Sequence, residues 1–85
     1  MRFTYDPSVD AVYLYLVDAI GRGEVAKGVL VHLPIPMTSI SVSTDSSGRA
    51  LGVEFLGASR LLGPQLLAAL LAERSHESRD RLGDV

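Results

Sequence analysis

The sequence predicts an α+β domain: a small antiparallel sheet of about four to five strands with one C-terminal helix packed on one face. Three observations predict it. Short stretches rich in β-formers recur, each bounded by Pro, Gly, Asp or Ser. Asp45-Ser46-Ser47-Gly48 is a hairpin closure. Leu66, Leu67, Leu70 and Leu71 then repeat with helical spacing.

The elements follow in order. Residues 2–5 form a first strand, and Asp6-Pro7-Ser8-Val9-Asp10 turns the chain. Asp6 can accept from backbone amides of the turn, and Pro7 presets φ at its second position. Residues 11–17 return as a second strand, so residues 2–17 are a hairpin. Alternation places Val12, Leu14 and Leu16 on an aliphatic face and Tyr13, Tyr15 and Val17 on the other. Ile20 to Gly23 is a loop. A third strand runs from Val25 to Leu33, until Pro34 and Pro36 stop the ladder because neither has an N–H to donate. Residues 39–44 form a fourth strand with Ile40 and Val42 inward and Ser39, Ser41 and Ser43 outward. Residues 50–56 form a fifth, with Leu51, Val53 and Phe55 on one face and Gly52, Glu54 and Leu56 on the other. Residues 58–60 lead out of the sheet. Pro64 suits the first turn of a helix whose four leucines face the aliphatic side of the sheet. One domain over residues 1–74 and a polar tail over 75–85 are expected; Glu77 and Arg81 have the spacing of a helical ion pair within that tail.

Bulk properties narrow the function. A chain of 85 residues has room for one thin core, yet 47% of it is hydrophobic and its mean hydropathy is +0.25. Part of that apolar surface therefore calls for cover from a second copy or a partner. The absence of cysteine removes disulfides, thiolate metal sites and a Cys nucleophile. It fits a reducing, cytoplasmic setting. A net charge of −2 lacks the basic footprint of a nucleic-acid binder. The first residues have no signal-peptide pattern, and no apolar run reaches the length of a membrane span.

Two segments carry a resemblance. One is Phe3-Thr4-Tyr5-Asp6-Pro7-Ser8-Val9-Asp10-Ala11-Val12-Tyr13-Leu14, and the other is Asp45 to Ser59, with Gly48, Gly52, Glu54, Ala58 and Ser59 at its fixed positions. Together they resemble the YuzE-like family of short bacterial proteins, the domain of unknown function 2283. The resemblance covers roughly residues 2–62 and the leucine-rich helix. The chain departs from it where Leu33-Pro34-Ile35-Pro36-Met37 intervenes, and where Ser41 and Ser43 stand on a strand that is usually acidic. The resemblance implies the fold and little chemistry. It also implies an antitoxin-like role as one reading, since members are similar to small proteins encoded beside toxin-like ones.

The chemistry-bearing residues each have an ordinary explanation. Asp6, Asp10 and Asp18 could approach a hard cation, but turn chemistry accounts for Asp-Pro-x-x-Asp. Glu54 sits mid-strand, where a carboxylate must be exposed, paired or functional; Tyr13 and Tyr15 are its candidate neighbours and Arg60 its candidate ion-pair partner. His32 ends a strand beside proline and His76 lies in the tail, with no metal-ligand spacing between them. The serines at 39, 41 and 43 read as one strand face rather than part of a Ser-His-Asp set. No catalytic residue, metal ligand or cofactor is expected. Tyr13, Tyr15, Glu54 and Arg60 are the ligand or interface candidates.

These readings converge on an interaction module that is not an enzyme. It is expected to form a homodimer through the tyrosine-bearing face or the helix and to bind neither nucleic acid nor membrane. The runner-up is a small-ligand-binding protein or enzyme with Glu54, the tyrosines and Arg60 at an oligomer interface. A third is an antitoxin-like partner of a small toxin.

Overall fold

A computed structural model describes residues 2–72. Five strands, β1 (Phe3–Asp6), β2 (Ala11–Tyr15), β3 (Lys27–His32), β4 (Ser39–Thr44) and β5 (Ala50–Leu56), make one sheet in the order β1-β2-β5-β4-β3, every pair antiparallel. A four-residue helix, α1 (Ala58–Leu61), follows directly. A second helical segment, α2, is described over residues 64–72. The fold is the α+β sheet-and-helix arrangement expected. Residues 58–61 do not merely lead out of the sheet but coil into a helix of their own. The expected tail and the readings of His76, Glu77 and Arg81 lie outside the described residues.

The turn chemistry matches the residues that encode it. Asp6 Oδ1 accepts from Ser8 N–H (3.0 Å) and Ser8 hydroxyl (2.6 Å). Asp45 does the same at the β4–β5 turn, accepting from Ser47 N–H, Ser47 hydroxyl and Arg49 N–H at 2.9, 2.7 and 3.0 Å. Gly48 N–H bonds Asp45 carbonyl at 3.0 Å, and Gly48 takes the positive φ of 90° that closes the hairpin.

Register assigns the faces. Phe3 lies opposite Leu14, Leu14 opposite Val53, Val53 opposite Val42 and Val42 opposite Val29. Tyr5, Val12, Phe55, Ile40 and Val31 form the parallel row. Helical cover reaches only part of this apolar face. Phe3, Val12 and Ala58 are the buried cluster, and Leu62 and Leu70 pack on it with Tyr5, Leu14 and Phe55. At the far side every residue of β3 is exposed. Three expectations are corrected accordingly. Leu16 lies past the end of β2 and is 45% exposed rather than core. The leucine stripe is not buried: Leu67, Leu70 and Leu71 are half-buried and Leu66 is exposed, because α2 approaches one side of the sheet rather than its middle. Ser39 is buried rather than outward and solvated, beside buried Thr38 where the 33–38 loop folds back.

Candidate functional site

The opposite face carries the tyrosines. Across the sheet, Thr4, Tyr13, Glu54, Ser41 and Leu30 stand in one row, each directly opposite the next. Tyr15, Gly52, Ser43 and Gly28 make the adjacent row. Tyr13 and Glu54 are therefore cross-strand neighbours, as side chains of opposed residues in an antiparallel pair must be. Gly52 lets Tyr13 lie down on the sheet. A Cβ at position 52 would overlap the hydroxyl and ring carbons of Tyr13. Tyr13 and Tyr15 meet edge to face with centroids 4.9 Å apart. The Arg2 guanidinium carbon sits 3.9 Å from the centre of the Tyr15 ring, and Arg2 Nε is buried there with no hydrogen-bond acceptor among the described residues. The two tyrosines thus already have intramolecular partners, and both are half-buried.

Arg60 is elsewhere. Its Nη1 donates to Pro36 carbonyl (3.0 Å) and its Nη2 to Met37 carbonyl (3.2 Å), so its terminal nitrogens clasp the 33–38 loop rather than Glu54. The four candidates therefore divide: Tyr13, Tyr15 and Glu54 come together, while Arg60 belongs to a second constellation. Arg60, His32, Val9, Ile35, Met37 and Leu56 border an open groove of about 450 Å³ at the end of the sheet. Met37 has a left-handed φ of 61° and is 84% exposed, with Arg60 holding its carbonyl. Thr38 hydroxyl bonds Ile35 carbonyl at 2.6 Å and completes that turn.

Asp10 is the residue whose role sequence reasoning missed. Its backbone takes a left-handed φ of 53°, which Asp tolerates better than most side chains. Its carbonyl accepts from Gly57 and Ala58 N–H at 3.0 and 2.9 Å. Its carboxylate accepts from Ser59 N–H (3.0 and 3.3 Å) and Ser59 hydroxyl (2.6 Å). Tyr5 hydroxyl also donates to it at 3.4 Å. Three of the orphan donors of α1 are thereby satisfied by a turn 49 residues earlier in the chain. The hydrogen bond from Ser59 hydroxyl, helped by Ser59 N–H, Tyr5 and the charge of Arg60, holds the Asp10 carboxyl below its ordinary range against partial desolvation. Desolvation first, then the neighbouring Asp10 charge, raises the Tyr5 phenol. The signal was present: Asp10 and Ser59 both belong to the two segments that carried the family resemblance.

Among the described residues no group of three or more His, Asp or Glu is placed to hold a metal ion, and no helix is long and apolar enough to cross a membrane.

A five-stranded antiparallel sheet whose first hairpin turn caps the helix after its last central strand defines a small α+β domain built around two linked motifs. The chain belongs to the family described as Protein of unknown function (DUF2283), whose model matches residues 2–59. That span contains the hairpin, the whole sheet and the Asp10–Ser59 link. No curated protein and no solved structure matches the chain.

Proposed function

We propose that the domain is a non-catalytic interaction module that associates with a second copy of itself. One observation carries the reading. β3 is exposed along all six residues, and its Val29, Leu30 and Val31 are 45%, 56% and 49% accessible. A run of three large aliphatic side chains at the rim of a sheet is surface that a lone soluble domain leaves covered or breaks with charge. The tyrosine face is the weaker contact surface, since Arg2, Gly52 and the mutual edge-to-face contact already occupy Tyr13 and Tyr15. Sedimentation velocity from about 10 to 500 μM tests the reading, a range lying between dissociation constants of about 1 μM and 1 mM. The expected result is a sedimentation coefficient that rises with concentration to a dimer limit. A monomer throughout that range overturns it.

A second reading has its own observation. The groove at the end of the sheet has apolar walls from Val9, Ile35, Met37 and Leu56, and the ionisable groups on it are Arg60 and His32. Its size is that of a small-molecule site. Titration with apolar carboxylates, followed by chemical shifts of residues 32–39, tests this reading. Uniform absence of shifts at millimolar ligand counts against it.

A further inference from the structure

Resting on the reading that the domain self-associates, we propose that two copies join edge to edge through β3, antiparallel, about a two-fold axis passing between Leu30 and the partner's Leu30. The sheet order leaves two edges, β1 and β3. They differ in the features by which proteins protect edges. β1 has four residues, ends on Asp6 and is followed by Pro7. β3 has six residues and no proline within it, Pro34 coming two residues past its end, and Lys27 at its start is its one Lys, Arg, Asp or Glu residue. Its register with β4 runs unshifted from Lys27 to His32. Among the described residues no strand pairs with the outer side of β3, and an aliphatic edge of that kind is a template for another strand.

Symmetry selects the occupant and the register. A two-fold axis perpendicular to the sheet keeps each face of one copy on the same side as that face of the other. Residues opposed across an antiparallel pair share a face, so the axis must sit between two copies of the same residue rather than between two different residues. Centred on Leu30, it sets Val29 against the partner's Val31, Val31 against the partner's Val29, and Gly28 against the partner's His32. The three exposed large apolar residues of β3, Val29, Leu30 and Val31, then fall symmetrically about the axis. Lys27 has no residue of the partner's β3 opposite it, so no cation faces another. Moving the centre to Val29 sets Val31 against the partner's Lys27, and moving it to Val31 sets Leu30 against the partner's His32. Both break the apolar match. The self-complementary pattern fits a second copy of this chain, in a joined sheet of ten strands.

The chain has no cysteine, so one introduced thiol reports the axis directly. Opposed residues in an antiparallel pair have Cα atoms about 4.5–5.5 Å apart, inside the range a disulfide spans. Leu30→Cys is compared under mild oxidation with Ser41→Cys, which lies in the same row one strand inward. Leu30 is exposed, so its replacement leaves the core intact. The expected result is a disulfide-linked dimer for L30C and monomer for S41C. The double variant V29K/V31K places lysines opposite one another in both Val pairs, and its dimer dissociation constant rises at least about tenfold. Wild-type dimers in sedimentation with no L30C cross-link above the S41C background overturn the edge contact while leaving self-association standing. Wild-type monomers overturn both.

Discussion

The carboxylate of Asp10 holds Ser59 by both its backbone N–H and its hydroxyl, at 3.0 and 2.6 Å, and so ties the first turn of the chain to the helix that leaves the last central strand. The N-cap of α1 is Gly57, which has no side chain to do this. A turn aspartate from the far end of the sequence does it instead.

Removing that link costs about as much as removing a helix cap. Asp10→Ala is expected to destabilise by about 1–2 kcal/mol, combining the lost acceptor with a left-handed backbone that alanine disfavours. Asp10→Asn keeps an acceptor oxygen and the backbone preference, so it should cost less. Ser59→Ala should lose only the hydroxyl bond, at about 1 kcal/mol. Urea denaturation orders the three. Equal stability of Asp10→Ala and wild type would show that α1 does not depend on the link.

Acid sensitivity follows from the same residue. The folded-state carboxyl of Asp10 is held below the ordinary 3.8 of an aspartate, chiefly by Ser59 hydroxyl. A lowered folded value means that the contribution is present above the unfolded value and is lost as pH falls through the folded one. Asp45 is lowered likewise, first by Ser47 hydroxyl, and shares that direction. The comparison of wild type with Asp10→Asn isolates Asp10. Their difference in denaturation midpoint should be largest at neutral pH and shrink below about pH 4. A gap independent of pH would assign the Asp10 contribution to geometry alone.

The packing of the helices predicts a contrast. Phe3 is 3% exposed in the central cluster, and Leu66 on α2 is 52% exposed. Phe3→Ala should cost roughly 3–5 kcal/mol, a large share of what so short a domain has. Leu66→Ala should fall within about 0.5 kcal/mol of wild type. Half-buried Leu70, which touches the cluster, should lie between them. Thermal or urea unfolding measures all three, and a costly Leu66→Ala would place α2 on the sheet by a different face.

Most of the fold was legible because it rests on local chemistry. Asp45 to Gly48 and Asp6 to Asp10 are turns whose residues state their own conformation, and the residues at 39–44 and 50–56 alternate in the sequence, although the register of the two strands shifts between Ser43 and Thr44. The β3 boundaries were overextended, since Val25 and Leu33 continue the apolar run after the ladder has ended. What alternation and periodicity do not contain is where helices land. Four leucines at helical spacing promised to cover the apolar face, but Leu62 and Leu70 reach only the Phe3 and Val12 end, leaving Val29 and Val31 open. The site divided for a similar reason. Tyr13 and Glu54 became neighbours through strand register, which a correct pairing of β2 with β5 delivers. Arg60 went to the Pro36 and Met37 carbonyls because a helical turn at 58–61 re-aims it, and the extended exit expected there does not.

Two glycines separate close approach from backbone need, and they make the last prediction. Gly52 is buried beneath the Tyr13 ring, in the middle of β5. Its φ is not in the left-handed region, so alanine meets no backbone penalty there; the new Cβ must push the ring away. Gly57 has φ 76°, and a Cβ on it would stand 2.8 Å from Thr38 Cγ2 and 3.0 Å from the Met37 carbonyl oxygen. Neither the left-handed backbone nor the carbonyl can yield without moving the loop that Arg60 clasps. Gly52→Ala is therefore expected to cost about 1–3 kcal/mol as an overpacking change and to alter the tyrosine near-ultraviolet circular dichroism, there being no tryptophan to mask it. Gly57→Ala should cost more, adding about 1–2 kcal/mol of backbone strain, while leaving the tyrosine signal unchanged. Denaturation midpoints with near-ultraviolet spectra of both variants check the pair. A Gly52→Ala variant with a wild-type tyrosine spectrum would mean that Tyr13 does not rest on Gly52, and equal costs at the two positions would remove the distinction between them.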